Sequence, residues 1–270
     1  MIKFLTIAFV AFLTLSLTNN NTLEGPKIAI CIIGSDTEPD YASMNNTVSV
    51  LQRNGYSVVK FFDPNNQWEA IKRAASDASI IIYDGHGTEM GIDGNYGGLV
   101  IDDFISGKRI ASELKLKRKA LVIYSSVCGG AGSSASDVND IGIEEAKRRV
   151  LGSGLPFILA GAGAYFAINE VNGVEAFLNN WFQEVSLSEC FVKATSSWYN
   201  VEFNGSFRDQ RLPANFHMGI GTQEGGGVST VTSTVNGVTK VRQIVTPKSY
   251  DLAYLGNPFF THQMSMSLNQ

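Results

Sequence analysis

Two residues of this chain, Cys128 and His86, have both the type and the setting for covalent chemistry on a carbonyl. Cys128 lies in Ser125–Gly132 (SSVCGGAG), directly after the apolar run Ala120–Tyr124 (ALVIY). His86 lies in Asp84–Thr88 (DGHGT), directly after Ala78–Tyr83 (ASIIIY). A thiol near its reference pKa is mostly protonated at neutral pH, and it attacks carbonyl carbon as the thiolate. An imidazole titrates near working pH, so it can take that proton and later protonate a leaving amine. Together they are the minimum equipment for a cysteine nucleophile with a histidine base. The glycine after each residue lets the backbone turn sharply and come close to a substrate. The N–H groups of Gly87 and of Cys128 itself are the candidate oxyanion donors, and one such donor is typically worth about 10²–10³ in rate.

The other cysteines and histidines have plainer settings. Cys31 sits inside the apolar run Ile28–Ile33 (IAICII) and Cys190 in an amphipathic stretch, where a thiol acts as a small buried hydrophobe. His217 and His262 have no strand-plus-glycine pattern beside them and read as structural or surface residues. Two different uses of the Cys128 segment compete with catalysis. Cys128–Ser133 (CGGAGS) after a strand could be a Gly-rich phosphate cradle in a ligand-binding module. It lacks both the Lys-Ser/Thr ending and the Gly-x-Gly-x-x-Gly spacing of such loops. The chain could instead be an inactive scaffold, against which stands the presence of both His86 and Cys128. A serine hydrolase is disfavoured, since no Gly-x-Ser-x-Gly occurs.

The elements that must position the two residues follow from hydrophobic pattern. Apolar, β-branched runs without alternation suit parallel strands covered on both faces. In open parallel sheets the reactive groups collect beyond the carboxyl ends of the strands. Met44, Val48 and Leu51 fall at helical spacing with Gly55 as the stop, and Tyr56–Phe62 reads as the next strand. Asp63-Pro64-Asn65 opens a helix carrying Trp68, Ile71 and Ala75 on one face. Further helices are expected over Ile110–Leu116, Ile143–Leu151 and the stretch bearing Val174, Phe177, Leu178, Trp181, Phe182 and Val185. Leu155–Ala160 reads as a fifth strand. Thr230–Val235 and Val238–Val245 flank Asn236-Gly237, a two-residue hairpin signal, after the loop Gly221–Gly227. The fold class expected is α/β, one domain with a mainly parallel central sheet and a C-terminal β-hairpin.

The order strand–His-Gly, then strand–Cys-Gly, resembles the caspase-like cysteine peptidases: caspases, metacaspases, legumains, gingipains, separases and the CHAT proteases. Pro26–Gly34 (PKIAICIIG) with the later Asn54-Gly55-Tyr56 is similar to their first strand, first helix and turn. Gly91–Asp102 (GIDGNYGGLVID) resembles the hairpin that follows their His-Gly. Leu159–Ala167 (LAGAGAYFA) with the helix through Trp181-Phe182 is similar to the segment after the catalytic Cys in CHAT and gingipain-like members. Leu255-Gly256-Asn257-Pro258 resembles a closing Gly-Asp-Pro, with Asn for Asp. The resemblance spans roughly Pro26 to Phe260. It implies a three-layer sandwich and an endopeptidase working through a Cys-His dyad, without metal or cofactor and without an essential third carboxylate. It also implies that the residue before the scissile bond is read by groups after the first strand and beside the Cys. Metacaspases carry Asp two residues before that Cys; here the position is Ser126, which leaves the acidic loop bearing Asp36 and Asp40 as the candidate for attracting Arg or Lys.

With 270 residues, 44% hydrophobic and 17% charged, the chain is long enough for one sizeable core. A net charge of −4 offers no basic footprint for nucleic acid. Lys3 followed by the apolar Phe4–Leu17 reads as an export signal, shorter than the roughly twenty residues of a membrane span. Ser16 and Thr18 are small enough for the cleavage positions, so residues 1–18 are expected to be a signal peptide and 19–270 the peptidase domain. A secreted or periplasmic enzyme acting on protein or peptide substrates, without stable membrane association once the signal is removed, is the expectation. Three cysteines, placed as these are, do not form a disulfide framework.

Overall fold

The structure, a computed structural model, describes residues 27–34, 41–88, 97–170, 172–196, 201–223, 228–235, 238–245 and 248–267. The expected signal peptide, Asp36, Asp40 and the turn Asn236-Gly237 lie outside the described residues. In chain order the elements are β1 (Ile28–Ile33), α1 (Tyr41–Arg53), β2 (Ser57–Phe61), α2 (Trp68–Ala75), β3 (Ile80–Asp84), β4 (Leu99–Val100) and β5 (Phe104–Ile105). Then come α3 (Gly107–Glu113), β6 (Leu121–Ser125), α4 (Ile143–Leu159), β7 (Ala164–Ile168), α5 (Gly173–Trp181) and α6 (Leu187–Ser196). The last are β8 (Val201–Phe207), β9 (His217–Gln223), β10 (Val228–Val235), β11 (Val238–Val245), β12 (Ser249–Gly256) and α7 (His262–Met266).

The apolar runs become a parallel sheet. An eight-stranded sheet has the order β2-β1-β3-β6-β7-β12-β9-β8. The first five strands run parallel, and β12, β9 and β8 extend the sheet through antiparallel pairings. Side chains alternate between faces along each strand. Ile30, Ile81, Tyr83, Val122, Tyr124 and Tyr165 meet α2, α3 and α4 on one face. Cys31, Ile82, Ile123 and Phe166 meet α1, α5 and α6 on the other. The protein is thus α/β, with a mainly parallel central sheet and helices on both faces. Among the described residues β10 and β11 pair with each other alone, Val235 opposite Val238, in a two-stranded sheet separate from the central one.

Three expectations need correction. Leu155–Ala160 is not a strand: α4 runs unbroken through Pro156 to Leu159, and the fifth parallel strand is Ala164–Ile168. The last turns of α4 are apolar because they are buried, and a short apolar run does not distinguish a buried helix from a strand. A Cβ at Gly154 would meet Leu255 Cδ1 at 2.5 Å and Tyr165 Cδ1 at 2.7 Å, so the helix backbone lies directly on the sheet. That burial offsets the internal proline, which typically costs about 3 kcal/mol. The helix expected over Ile110–Leu116 starts earlier, at Gly107, because Ser106 caps it by accepting the Arg109 N–H at 3.2 Å. The hairpin expected over Gly91–Asp102 reaches past Asp102: Leu99–Val100 pairs with Phe104–Ile105, while residues 91–96 lie outside the described residues.

Candidate active site

Strands β3 and β6 are parallel neighbours, with Asp84 opposite Ser125. His86 and Cys128 therefore leave the sheet at the same end, two and three residues beyond that pair. The contact between the two loops is made by backbone. A Cβ added at Gly87 would fall on the Cys128 carbonyl oxygen and lie 3.0 Å from Val127 Cγ1. Only a residue without a side chain permits that approach. His86 is exposed and Cys128 half-buried. No hydrogen bond joins the imidazole to the sulfur here. Such catalytic contacts often tighten only when substrate is bound.

The turn that carries Cys128 is built from unusual backbone. Ser126 has φ 54°, in the left-handed region that non-glycine residues rarely enter, and Gly129 has φ 74°. Ser126 donates its N–H to the Ile168 carbonyl at 2.9 Å, tying the turn to β7. Gly129 N–H reaches Ser133 O at 2.8 Å and Gly130 N–H reaches Val127 O at 2.9 Å. Those two amides are spent inside the loop, which leaves a phosphate cradle short of donors. The N–H groups of Gly87 and Cys128 have no backbone acceptor among the described residues, as oxyanion donors should. The other two thiols are buried and inert. Burial pushes Cys31 and Cys190 up to about 12, despite the opposing pull of Lys60 and Lys193.

Three tyrosines beneath the loops were not singled out by the sequence reading. Tyr83 on β3, Tyr124 on β6 and Tyr165 on β7 are fully buried side by side, with ring centroids 5.2 Å and 5.3 Å apart. The hydroxyls of Tyr83 and Tyr124 hold carbonyls at the two ends of the loop after β3, and that of Tyr165 holds one in the Cys128 loop. Tyr83 donates to the carbonyl of His86 itself at 2.8 Å and accepts the Val100 N–H at 3.0 Å. Tyr124 donates to Gly98 O at 2.8 Å, and Tyr165 to Gly130 O at 3.0 Å. Burial raises all three phenols well above the ordinary tyrosine range, so they remain donors. For Tyr83 and Tyr124 the available signal was a polar-tipped aromatic at the end of an apolar run, since a buried Tyr hydroxyl needs a partner and the loop beyond the strand can supply one; Tyr165, near the start of β7, gave no such signal.

The far side of the Cys128 loop is held by an ion pair that sequence reasoning also missed. Arg149, on α4, grips both oxygens of Asp137 at 2.8 Å and 3.0 Å and donates to Glu145 at 2.8 Å and to Gly132 O at 3.2 Å. Between this loop and β12 lies a cavity of about 320 Å³. Ser126 and Cys128 line one side; Ser133, Ser134, Asp137, Asn169, Lys248, Ser249 and Asp251 line the rest. Of the residues expected to bind substrate, Ser126 is brought to this cavity, whereas Asp36 and Asp40 lie outside the described residues. Among the described residues there is no cluster of three or more metal-ligating acidic, His or Cys side chains, and no helix is long and apolar enough to cross a membrane.

No protein-family model matches the chain, and no curated protein matches it either. The reading of the site rests on its own geometry.

Proposed function

We propose that the protein is a cysteine endopeptidase of caspase-like type, with Cys128 as nucleophile and His86 as general base and acid. The observation that carries this is the close approach of Gly87 to the Cys128 carbonyl, which fixes the two motifs against each other at one end of a parallel sheet. The exposure of His86, the partial exposure of Cys128 and the strained Ser126 turn add support, since such strain gathers at functional sites. His86 takes the thiol proton, and the Cys128 sulfur attacks the peptide carbonyl carbon. The oxyanion that forms is held by the Gly87 and Cys128 N–H groups. The C–N bond then breaks as the imidazolium protonates the leaving amine, leaving a thioester. Water, deprotonated by His86, attacks the thioester; the carboxylic acid departs and the thiol is restored. The Phe4–Leu17 segment supports export, so the proposed place of action is outside the cytoplasm.

A thiol-directed peptidyl chloromethyl ketone tests the site. The expected result is labelling at Cys128 alone, sharply reduced in His86→Ala, with peptide hydrolysis abolished in Cys128→Ala while the fold is kept. Full hydrolysis by Cys128→Ala would sink the proposal.

A further inference from the structure

We propose that strand β10 is a docking edge for a second copy of this chain, and that two hairpins join there into one four-stranded antiparallel sheet. Such an assembly holds whether or not Cys128 cuts peptides. β10 and β11 pair over eight residues without a bulge, from Val228 opposite Val245 to Val235 opposite Val238. Their sheet has no third strand among the described residues. A lone two-stranded hairpin is marginal in water, and three or more strands are needed for independent stability. It also has two edges, each a row of backbone N–H and C=O groups that can template another strand. Two residues separate Val235 from Val238, so those two exchange both hydrogen bonds, and every second pair back along the ladder does the same. The backbone groups of Val228, Thr230, Thr232 and Thr234 therefore point away from β11.

Residue types at the two edges decide which of them takes a copy. β11 carries Lys240 and Arg242. An antiparallel register of β11 on itself that keeps most of its length sets cation against cation: Lys240 opposite Arg242, or either one opposite itself. Like charges directly opposite are destabilising, and lysine on an edge is a common guard against further pairing. β10 (VSTVTSTV) carries no charge, no proline and no glycine, and apart from Ser229 and Ser233 it is β-branched throughout, which favours strand pairing. It is also close to a palindrome about Val231. A two-fold axis there sets Val231 opposite itself, Thr230 opposite Thr232, Ser229 opposite Ser233 and Val228 opposite Thr234. A symmetric interface demands such self-complementarity, residue i meeting j while j meets i. The same register brings the outward backbone groups together, so that the Thr232 N–H of one copy donates to the Thr230 carbonyl of the other. β11 then forms both outer edges, and its cations end the sheet at two copies. The hairpin lies in the chain between Gln223 and Ser249, which pair where β9 meets β12, and Ser249 lines the cavity beside Cys128. An extended substrate is therefore the rival occupant, but substrates of varied sequence have no use for a palindrome.

Sedimentation equilibrium on the full chain reads the assembly directly. A reversible, concentration-dependent dimer is expected, with no larger species. Thr232→Pro removes an outward N–H and none that β11 uses, a placement proline tolerates on an edge strand. It should weaken the dimer about 10- to 100-fold, since two hydrogen bonds are lost across the interface. Val241→Pro makes the equivalent change on β11 and should leave the dissociation constant unchanged. Both variants should keep the wild-type circular dichroism spectrum. Cross-linking tests the register without proline, in the Cys128→Ala background, where the other two thiols are buried. Val231→Cys sets two thiols across the axis in a non-hydrogen-bonded pair, with Cα atoms about 4.5 Å apart and within disulfide reach. Mild oxidation should link that protein into a covalent dimer, while Cys128→Ala alone and Cys128→Ala with Thr239→Cys stay unlinked. A wild-type chain that is monomeric at every concentration overturns the proposal. So does a dimer that Val241→Pro breaks and Thr232→Pro spares, or a Val231→Cys protein that fails to cross-link. A monomeric wild type whose peptide turnover falls in Thr232→Pro would give the edge to substrate instead.

Discussion

The two loops that leave neighbouring strands β3 and β6 are held in opposite ways. The Cys128 loop is pinned from three sides. Ser126 is tied to β7, Gly130 to the Tyr165 hydroxyl, and Gly132 with Asp137 to Arg149 on α4. Ser133 closes it onto β12 twice, through its N–H to Tyr250 O at 2.9 Å and its Oγ from Tyr250 N–H at 2.7 Å. The His86 loop is held close to the imidazole by the Tyr83 hydroxyl, and further on by Thr88 and Gly97, which exchange bonds of 2.6 Å and 2.7 Å. The difference suits the two roles proposed for Cys128 and His86. A nucleophile must present its sulfur and its own N–H at one fixed place, because misplaced oxyanion donors lose most of their value. A base that moves a proton from a thiol to an amine is better served by a fixed backbone carrying an exposed ring.

The comparison breaks most visibly at Arg149. Its guanidinium is 8% exposed and Asp137 13% exposed, so this is a largely buried pair. Removing one partner of such a pair leaves an uncompensated charge, at a typical cost of about 3–5 kcal/mol. Arg149→Met is expected to lose that much in a denaturant titration and to lose peptide hydrolysis with it, because the Cys128 loop loses its outer anchor. Arg149→Met combined with Asp137→Asn should recover part of the stability, since the orphaned charge is gone. Unchanged stability in the single variant would show that the loop is held by its other ties alone.

Gly87 is where the two loops meet, and a methyl group there tests whether the contact is as tight as it looks. The atom in the way is a backbone oxygen, which cannot rotate aside as a flexible side chain could. Gly87→Ala is expected to cost about 1–3 kcal/mol, the usual range for overpacking. It should also lower kcat sharply, because the strain falls on the carbonyl of the nucleophile itself. A variant with wild-type kcat would mean that the loops separate without consequence.

Much of this was legible in the sequence, and the failures share a cause. Strands β3 and β6 announce themselves because each is an unbroken apolar run that ends at a glycine-rich motif, at Tyr83 and Tyr124. The positions of His86 and Cys128 follow from those runs directly. What local pattern could not show was burial supplied by distant neighbours. The end of α4 reads as a strand because Leu155, Phe157 and Ile158 are apolar whichever element carries them, and only packing on Leu255 and Tyr165 decides. Strands β8, β9 and β12 were not anticipated as members of the central sheet: Gly219 and Gly221 break the apolar pattern of β9, and a bulge interrupts β12.

The smallest effect gives the sharpest test of the comparison, since it removes one oxygen from each side. Tyr83→Phe takes away the donor to His86 O and the acceptor of Val100 N–H; Tyr165→Phe takes away the donor to Gly130 O. Each change should cost about 0.5–1.5 kcal/mol of stability, the net worth of a typical hydrogen bond, with Tyr83→Phe at the upper end because it strands two groups. Their effects on rate should differ. The Cys128 loop keeps its ties to β7, β12 and Arg149 when Tyr165 loses its hydroxyl, so kcat should stay within about twofold, equivalent to roughly 0.4 kcal/mol of barrier. The His86 carbonyl has Tyr83 as its donor from the strand below, so the ring's position drifts when that oxygen goes. A fall in kcat of about tenfold, roughly 1.4 kcal/mol of barrier, is expected there. Thermal melts and steady-state rates on the two variants read both quantities. Equal losses of kcat would show that the two loops are held alike, and the contrast proposed between them would fall.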